Sequence, residues 1–325
     1  MANLLTRLQQ GAIRQAASDI AAMPAEDPDK YLLTALALAA VGQHEQAAPL
    51  IARLGLHYIE RFMSRHCGVL DDHTSALLGQ HCLGIEPTAE RDGRGISIFS
   101  FPKSGSTFFE SIIQAYTGMS THPLTSLNDA DGVNLDTMWF EQAIRRRQIA
   151  RGHLSANARC ISRCLMFRLR PIFLHRNIFD CLLSYADHIR AKYYPYPFAV
   201  PEGPAAIDVA IFHMGFHYVE MFASWTHFAR RSDRVLLLAF DDNRRDWTGA
   251  AQKALVHSGI PVDRLRLEQA VADAEGFVES NPFRIRYAKG GVRDRGLVDP
   301  AMKERIRGLY RVFPGVDFSP IDPGD

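Results

Sequence analysis

Hydrophobic and polar positions divide the chain into two kinds of pattern. Up to about residue 90 the apolar positions recur at helical spacing, beginning with Leu4, Leu5 and Leu8. Tyr31 to Ala40 is an apolar run, Gly42 interrupts it, and Glu45 to Ile51 follows, which predicts two helices joined by a glycine turn. The stretch Glu86 to Gly95, rich in proline, glycine and charge, marks a boundary. From Ile96 onward short apolar runs alternate with helical ones. Ile96–Ser100, Pro171–His175 and Arg234–Phe240 predict strands; Glu110–Tyr116, Ile178–Arg190 and Trp247–Ser258 predict helices. Near-continuous apolar strands between helices are the mark of a parallel sheet covered on both faces. The expected fold is therefore α/β, a P-loop-like parallel sheet flanked by helices over 91–325, with an all-helical extension over 1–90.

Length and composition narrow the possibilities. The 325 residues can bury one large core, or one core plus a small appended domain. The small residues around Gly42 are similar to a tetratricopeptide-type helix pair, but no second copy follows and such arrays need about three, so a plain helical extension stays open. A formal charge of +1 argues against a general polyanion binder, so no nucleic-acid partner is expected. No stretch approaches the ~20 apolar residues that span a bilayer, and Tyr31 to Val41, the longest candidate, carries Thr34. The beginning of the chain has none of the features of a secretion signal. Five irregularly spaced cysteines suggest reduced thiols, and a cytoplasmic location is expected. Cys160 and Cys164, four apart, fit one face of a helix. No histidine–cysteine cluster has metal-ligand spacing, so no metal is expected. Oligomeric state is not readable, and a homodimer stays open.

The chemistry begins at Phe101 to Phe109, Phe-Pro-Lys-Ser-Gly-Ser-Thr-Phe-Phe, between a predicted strand and a predicted helix. A strand turning tightly into a helix aims several backbone N–H groups and the positive end of the helix dipole at one spot. Gly105 lets the backbone approach an anion, Lys103 adds a point charge, and Ser104, Ser106 and Thr107 add hydroxyl donors. The lysine precedes the glycine, so this phosphate cradle is not a Walker A loop. Charge supports an anionic ligand independently: from Arg145 to Arg176 there are nine arginines and no Asp or Glu, and Arg151 and Arg176 bracket the expected pocket.

The loop resembles the Pro-Lys-Ser-Gly-Thr-Thr-Trp loop of sulfotransferases that use 3′-phosphoadenosine 5′-phosphosulfate (PAPS), with Ser106 in place of Thr and Phe108 in place of Trp. Three further segments, in the family's order, carry the same resemblance. Arg151-Gly152-His153-Leu154-Ser155 is similar to the Lys-Thr-His-Leu-Pro segment of the catalytic base, with Ser155 in place of Pro. Arg176-Asn177-Ile178-Phe179-Asp180 through Ser184-Tyr185 is similar to the Arg-Asn-Pro segment that grips the 3′-phosphate, with Ile178 in place of Pro. Arg286 to Asp294 is a degenerate form of the segment that closes over the cofactor; Lys289, Gly290 and Asp294 match it. Trp225 and the run Val235 to Asp242 also resemble family segments, and the likeness spans roughly residues 96–320.

The resemblance implies an enzyme that moves the sulfuryl group of PAPS to a hydroxyl or amine of a small-molecule acceptor without a metal. Lys103, Ser104, Gly105, Ser106 and Thr107 would hold the 5′-phosphosulfate, and Lys103 would stabilise the departing phosphate. His153 would deprotonate the acceptor, a task suited to a neutral imidazole. Phe108 would pack against adenine, and Arg176 and Ser184 would bind the 3′-phosphate. One of Lys289, Arg286 or Arg293 would complete that site, beside Gly290. Lys192 to Phe198 is an aromatic loop suited to a lid, an acceptor wall or a plain surface turn. Asp129, Asp131, Asp136 and Glu141 lie in a stretch free of basic residues, which suggests a cationic natural product as acceptor. Two other readings remain open here: an ATP- and magnesium-dependent small-molecule or nucleotide kinase, and a non-catalytic adaptor acting through the N-terminal helices.

Overall fold

The structure, a computed structural model, describes residues 2–83, 95–124, 142–143, 146–190, 201–280 and 295–324. Six helices come first: α1 (Ala2–Gln9), α2 (Ile13–Ala21), α3 (Pro28–Ala40), α4 (His44–Leu54), α5 (Leu56–Arg65) and α6 (Asp72–Leu83). Then follow β1 (Ser97–Ser100), α7 (Ser106–Thr117), β2 (Thr121–Pro123), β3 (Ile149–Gly152), α8 (Ala158–Met166), β4 (Pro171–His175) and α9 (Ile178–Arg190). The last described elements are α10 (Pro204–Arg231), β5 (Leu236–Ala239), α11 (Phe240–Asn243), α12 (Trp247–His257), α13 (Arg264–Ser280) and α14 (Pro300–Tyr310). They form two compact units: Met1–Gly93 with Ala156–Leu169 and Arg231–Asp233, and Arg94–Ser155 with Arg170–Arg230 and Arg234–Asp325.

The first unit is helical in all its described elements, as the 3.6-residue pattern predicts. Asp27 starts α3: its side chain accepts the Asp29 amide, and Pro28 fills the first turn, where a missing N–H costs nothing. Gly42 at φ +81° makes the turn into α4. The buried faces are Leu32, Leu33, Ala35, Leu36 and Ala39 of α3 and Ala47 and Ile51 of α4. Helix α8, between β3 and β4, belongs to this unit and brings a buried cation. Arg163 Nη2 donates to Glu60 Oε1 at 2.8 Å, with both side chains shut away from water.

The second unit is built on a sheet of order β2-β3-β1-β4-β5 with every pair parallel. Ser97 pairs with Ala150 on one side and Pro171 on the other, so β1 is central. Pro171 opens β4, a position a proline tolerates. Alternation along the strands then distributes side chains to two cores. Ile98, Ile172, Leu174 and Leu238 meet Phe109, Ile112 and Ile113 of α7, the small residues Ala250, Ala251 and Ala254 of α12, and Leu267 of α13. Phe99 and Phe173 point the other way and pack on Trp225 of α10, at ring separations of 4.6 and 5.6 Å. From β1 the chain runs outward to β2 and β3, and from β4 it runs to β5 on the opposite side. The crevice beyond the carboxyl ends of β1 and β4 is therefore a topological switch point, where sheets of this kind bind ligands.

Candidate active site

Three strand ends converge on that crevice, and each delivers one predicted group. Beyond β1 the loop tightens at once: the Phe101 amide donates to the Leu174 carbonyl at 3.1 Å, and the Ser104 amide and hydroxyl both donate to the Phe101 carbonyl. Ser104 is fully buried. Its hydroxyl, expected as a ligand donor, instead folds the loop. Lys103 sits at φ +68°, a left-handed conformation that is uncommon for a residue with a Cβ and costs about 1–2 kcal/mol. Strain of that size at a loop tip persists only where the surroundings impose it.

Gly105 caps α7 at φ +82° with no side-chain cap bond; the Phe108 amide donates to the Gly105 carbonyl at 3.0 Å, which leaves the Ser106 and Thr107 amides at the loop without an intrahelical acceptor. Its glycine character has a second cause beyond the expected one. A Cβ there would lie 2.2 Å from Phe240 Cε2 and 2.6 Å from Cδ2. The space the missing side chain leaves is filled by an aromatic ring. That ring also carries Arg176, whose guanidinium lies 4.5 Å over its centroid, a cation–π contact. Phe240 is edge-on to Trp247 at 5.6 Å, and Phe108 is edge-on to the same indole at 5.0 Å. Phe108, Trp247, Phe240 and Arg176 thus form one aromatic–cationic wall beside the phosphate loop.

Beyond β4, Asn177 caps α9: its side-chain oxygen accepts the Phe179 and Asp180 amides at 3.0 and 3.2 Å. Ile178, where the resemblance expects proline, uses the N–H that a proline lacks, donating to the Ile321 carbonyl at 2.8 Å. Arg176 reaches back to the Lys103 carbonyl at 3.5 Å and to Asp180 at 3.4 Å, both long contacts, and its buried Nε has no acceptor. The guanidinium is held in place yet under-bonded. Asp180, Ser184 and His188 follow at four-residue spacing along one face of α9. Burial, with Lys103 as a second cause, pulls the His188 pKa down to about 4.

Beyond β3, His153 Nδ1 lies 2.7 Å from the Ser100 carbonyl oxygen and 3.3 Å from the Ser100 hydroxyl. A carbonyl only accepts, so Nδ1 carries the hydrogen and the neutral ring keeps its lone pair on Nε2. Burial lowers the His153 pKa to about 3, with Arg151 as the second cause and Lys103 among the smaller ones. Arg151 itself is an ion pair with Glu110 of α7 at 3.0 Å, so its charge is already answered.

Of α10, the sequence marked only Trp225, by its resemblance to a family segment. Tyr218, fully buried, donates its hydroxyl to the Pro102 carbonyl at 2.9 Å. His217 Nε2 donates to the His153 carbonyl at 3.0 Å, and Trp225 Nε1 to the Leu154 carbonyl at 2.8 Å. The residue types were visible, but nothing local reveals that their partners lie 64 to 116 positions away. Phe240 and Trp247 likewise read only as the end of a strand and the start of a helix. Lys289, Gly290, Arg286, Arg293, the loop Lys192 to Phe198 and the carboxylates Asp129, Asp131, Asp136 and Glu141 lie outside the described residues. Among the described residues no group of three His, Cys, Asp or Glu side chains could hold a metal ion, and no helix is long and apolar enough to cross a membrane.

No family model and no curated protein sequence matches the chain. Solved structures do. The mouse sulfotransferase SULT7A1, crystallised with PAP, superposes with a TM-score of 0.53 at 16% identity, over 70% of this chain and 86% of that one. Retinol dehydratase, in a complex with retinol and PAP, gives a TM-score of 0.45 at 12% identity, over 69% of this chain and 82% of that one. The chain has a sulfotransferase-like fold, a P-loop-like α/β architecture with a parallel sheet flanked by helices.

Proposed function

We propose that this chain is a PAPS-dependent sulfotransferase acting on a hydroxyl or amine of a small-molecule acceptor. One observation carries the reading: a left-handed lysine, a free helix N-terminus, a neutral histidine and an under-bonded arginine stand at the ends of three adjacent parallel strands. The donor fits these residues. Arg176 has a buried Nε without an acceptor and two long contacts, so a phosphate would complete its fork. Lys103 with the amides of Gly105, Ser106 and Thr107 suits the 5′-phosphosulfate, while Ser104 shapes the loop that presents them. Ser184 shares the 3′-phosphate with Arg176, and Phe108 with Trp247 offers an apolar surface for adenine. By resemblance, Lys289 and Gly290 close the same site.

PAPS, when bound, supplies the sulfuryl group that is transferred. His153 Nε2 accepts the proton of the acceptor hydroxyl as its oxygen attacks. Positive potential from Lys103 and the α7 dipole gathers where the leaving phosphate gains charge. Lys103 also holds down the basicity of His153. An anion seated on that lysine would offset this small contribution, while burial and Arg151, the larger causes, remain. The acid-rich stretch with Asp129, Asp131, Asp136 and Glu141 favours a cationic acceptor, a natural product bearing an amine or guanidine. The test is PAP release from PAPS over a panel of cationic and neutral alcohols and amines. Wild type is expected to turn over and His153→Ala to fall by at least about 100-fold. Exchanging the four carboxylates for their amides should raise KM for cationic acceptors alone. Turnover that survives in His153→Ala overturns the assignment of the base.

A further inference from the structure

Residues 217 and 218, neighbours on one turn of α10, hold two different parts of the site. Tyr218 grips the phosphate loop through the Pro102 carbonyl at 2.9 Å. His217 grips the base turn through the His153 carbonyl at 3.0 Å. Seven residues beyond Tyr218, on the same helical face, Trp225 holds the next carbonyl of that turn, Leu154, at 2.8 Å. The third residue of the turn closes the arrangement. Ser155 donates its hydroxyl to Glu220 Oε2 at 3.1 Å, and the same carboxylate oxygen stands 3.9 Å from His217 Nδ1. His217 is also the largest cause holding the Glu220 carboxyl below its ordinary pKa.

We propose that His217 and Tyr218 form the positioning device that sets the His153 imidazole against the phosphate loop, with Glu220 and Trp225 bracing the turn. This rests on the reading of His153 as the base. The imidazole is anchored at Nδ1 by Ser100 of β1, and the backbone that carries it is anchored by α10. Two anchors fix where Nε2 points. Without the second, the turn drifts, the ring's contact with Ser100 loosens, and residue 153 loses its register with Lys103. A displacement of about 1 Å at a reacting group costs on the order of 100-fold in rate. A helix is stiff over one turn, so residues 217–218 tie base and cradle to one rigid element, in addition to the β1–β3 register that pairs Phe99 with Gly152.

The experiment compares wild type with His217→Leu, His217→Gln and Tyr218→Phe of the full chain. The imidazole nitrogens of His153 are followed by NMR on histidine-labelled protein without ligand, and kcat and PAP affinity are measured alongside. Wild type is expected to show one tautomer with the hydrogen on Nδ1. His217→Leu should mix the tautomers and lower kcat about 100-fold while PAP affinity stays within about twofold. His217→Gln, whose amide N–H can reach the same carbonyl, should restore both. Tyr218→Phe should lower kcat about 10-fold or more, leaving the His153 tautomer intact. An unchanged His153 signal and kcat in His217→Leu would overturn the proposal, as would a His217→Gln variant as impaired as His217→Leu. If wild type transfers no sulfuryl group while the tautomer still responds to His217→Leu and His217→Gln as stated, the sulfotransferase reading fails and the positioning stands.

Discussion

Replacing Gly105 by alanine places a methyl group where the structure already has a ring. The new Cβ would stand 2.2 Å from Phe240 Cε2 and 2.6 Å from Cδ2, far inside contact distance. The ring has little room to retreat, because Trp247 meets it at 5.6 Å between centroids and the Arg176 guanidinium lies 4.5 Å above it. Overpacking of this kind costs about 1–3 kcal/mol. The φ of +82° adds about 1–2 kcal/mol for any residue with a Cβ. The expected loss is thus about 2–5 kcal/mol, read as a shift in the urea midpoint followed by tryptophan fluorescence. A double-mutant cycle separates the two causes. In a Phe240→Ala background the clash vanishes and Gly105→Ala should cost only the backbone component, about 1–2 kcal/mol. An equal cost in both backgrounds, or a total below about 0.5 kcal/mol, would refute the packing argument.

Other consequences follow from buried charge and buried imidazole. Glu60→Ala strands the Arg163 guanidinium and should destabilise the helical unit by about 3–5 kcal/mol, whereas Glu60→Leu with Arg163→Met should be neutral or stabilising. Denaturation curves that rank the two variants the other way would contradict the desolvation argument. Burial holds His175 and His188 near pKa 4 and His153 near 3, against 6.5 when unfolded. The unfolded chain therefore binds more protons below pH 6.5, and stability should fall as the pH drops from about 6.5 towards 4. The slope should flatten in His175→Gln; a stability that rises on acidification over that window would reverse the assignment.

What could be read from the sequence was whatever has local causes. The strand Pro171–His175 and the helix Ile178–Arg190 fall at their predicted bounds, because an apolar run, a cap and helical spacing all lie within the segment. The strand before the phosphate loop is likewise legible, since it is buried on every residue. Edge strand β2 was not: Thr121–Pro123 is three residues long and half exposed, held in the sheet only by β3. The loop's residues were legible but their work was not. Ser104 turns inward to the Phe101 carbonyl, Gly105 makes way for Phe240, and Arg151 is taken up by Glu110. Each of these depends on a partner brought in by the fold, from 3 to 135 positions away. His217, Tyr218 and Glu220 of α10 were invisible for the same reason, whereas Trp225 was marked by resemblance and its partner was not.

Calorimetric titration of the full chain with 3′-phosphoadenosine 5′-phosphate, beside ATP and ADP and with and without magnesium, tests the central claim most directly. Binding should require the 3′-phosphate, be indifferent to magnesium, and disappear in Arg176→Ala. Magnesium-dependent binding of ATP, unaffected by Arg176→Ala, would contradict the account and point to a kinase.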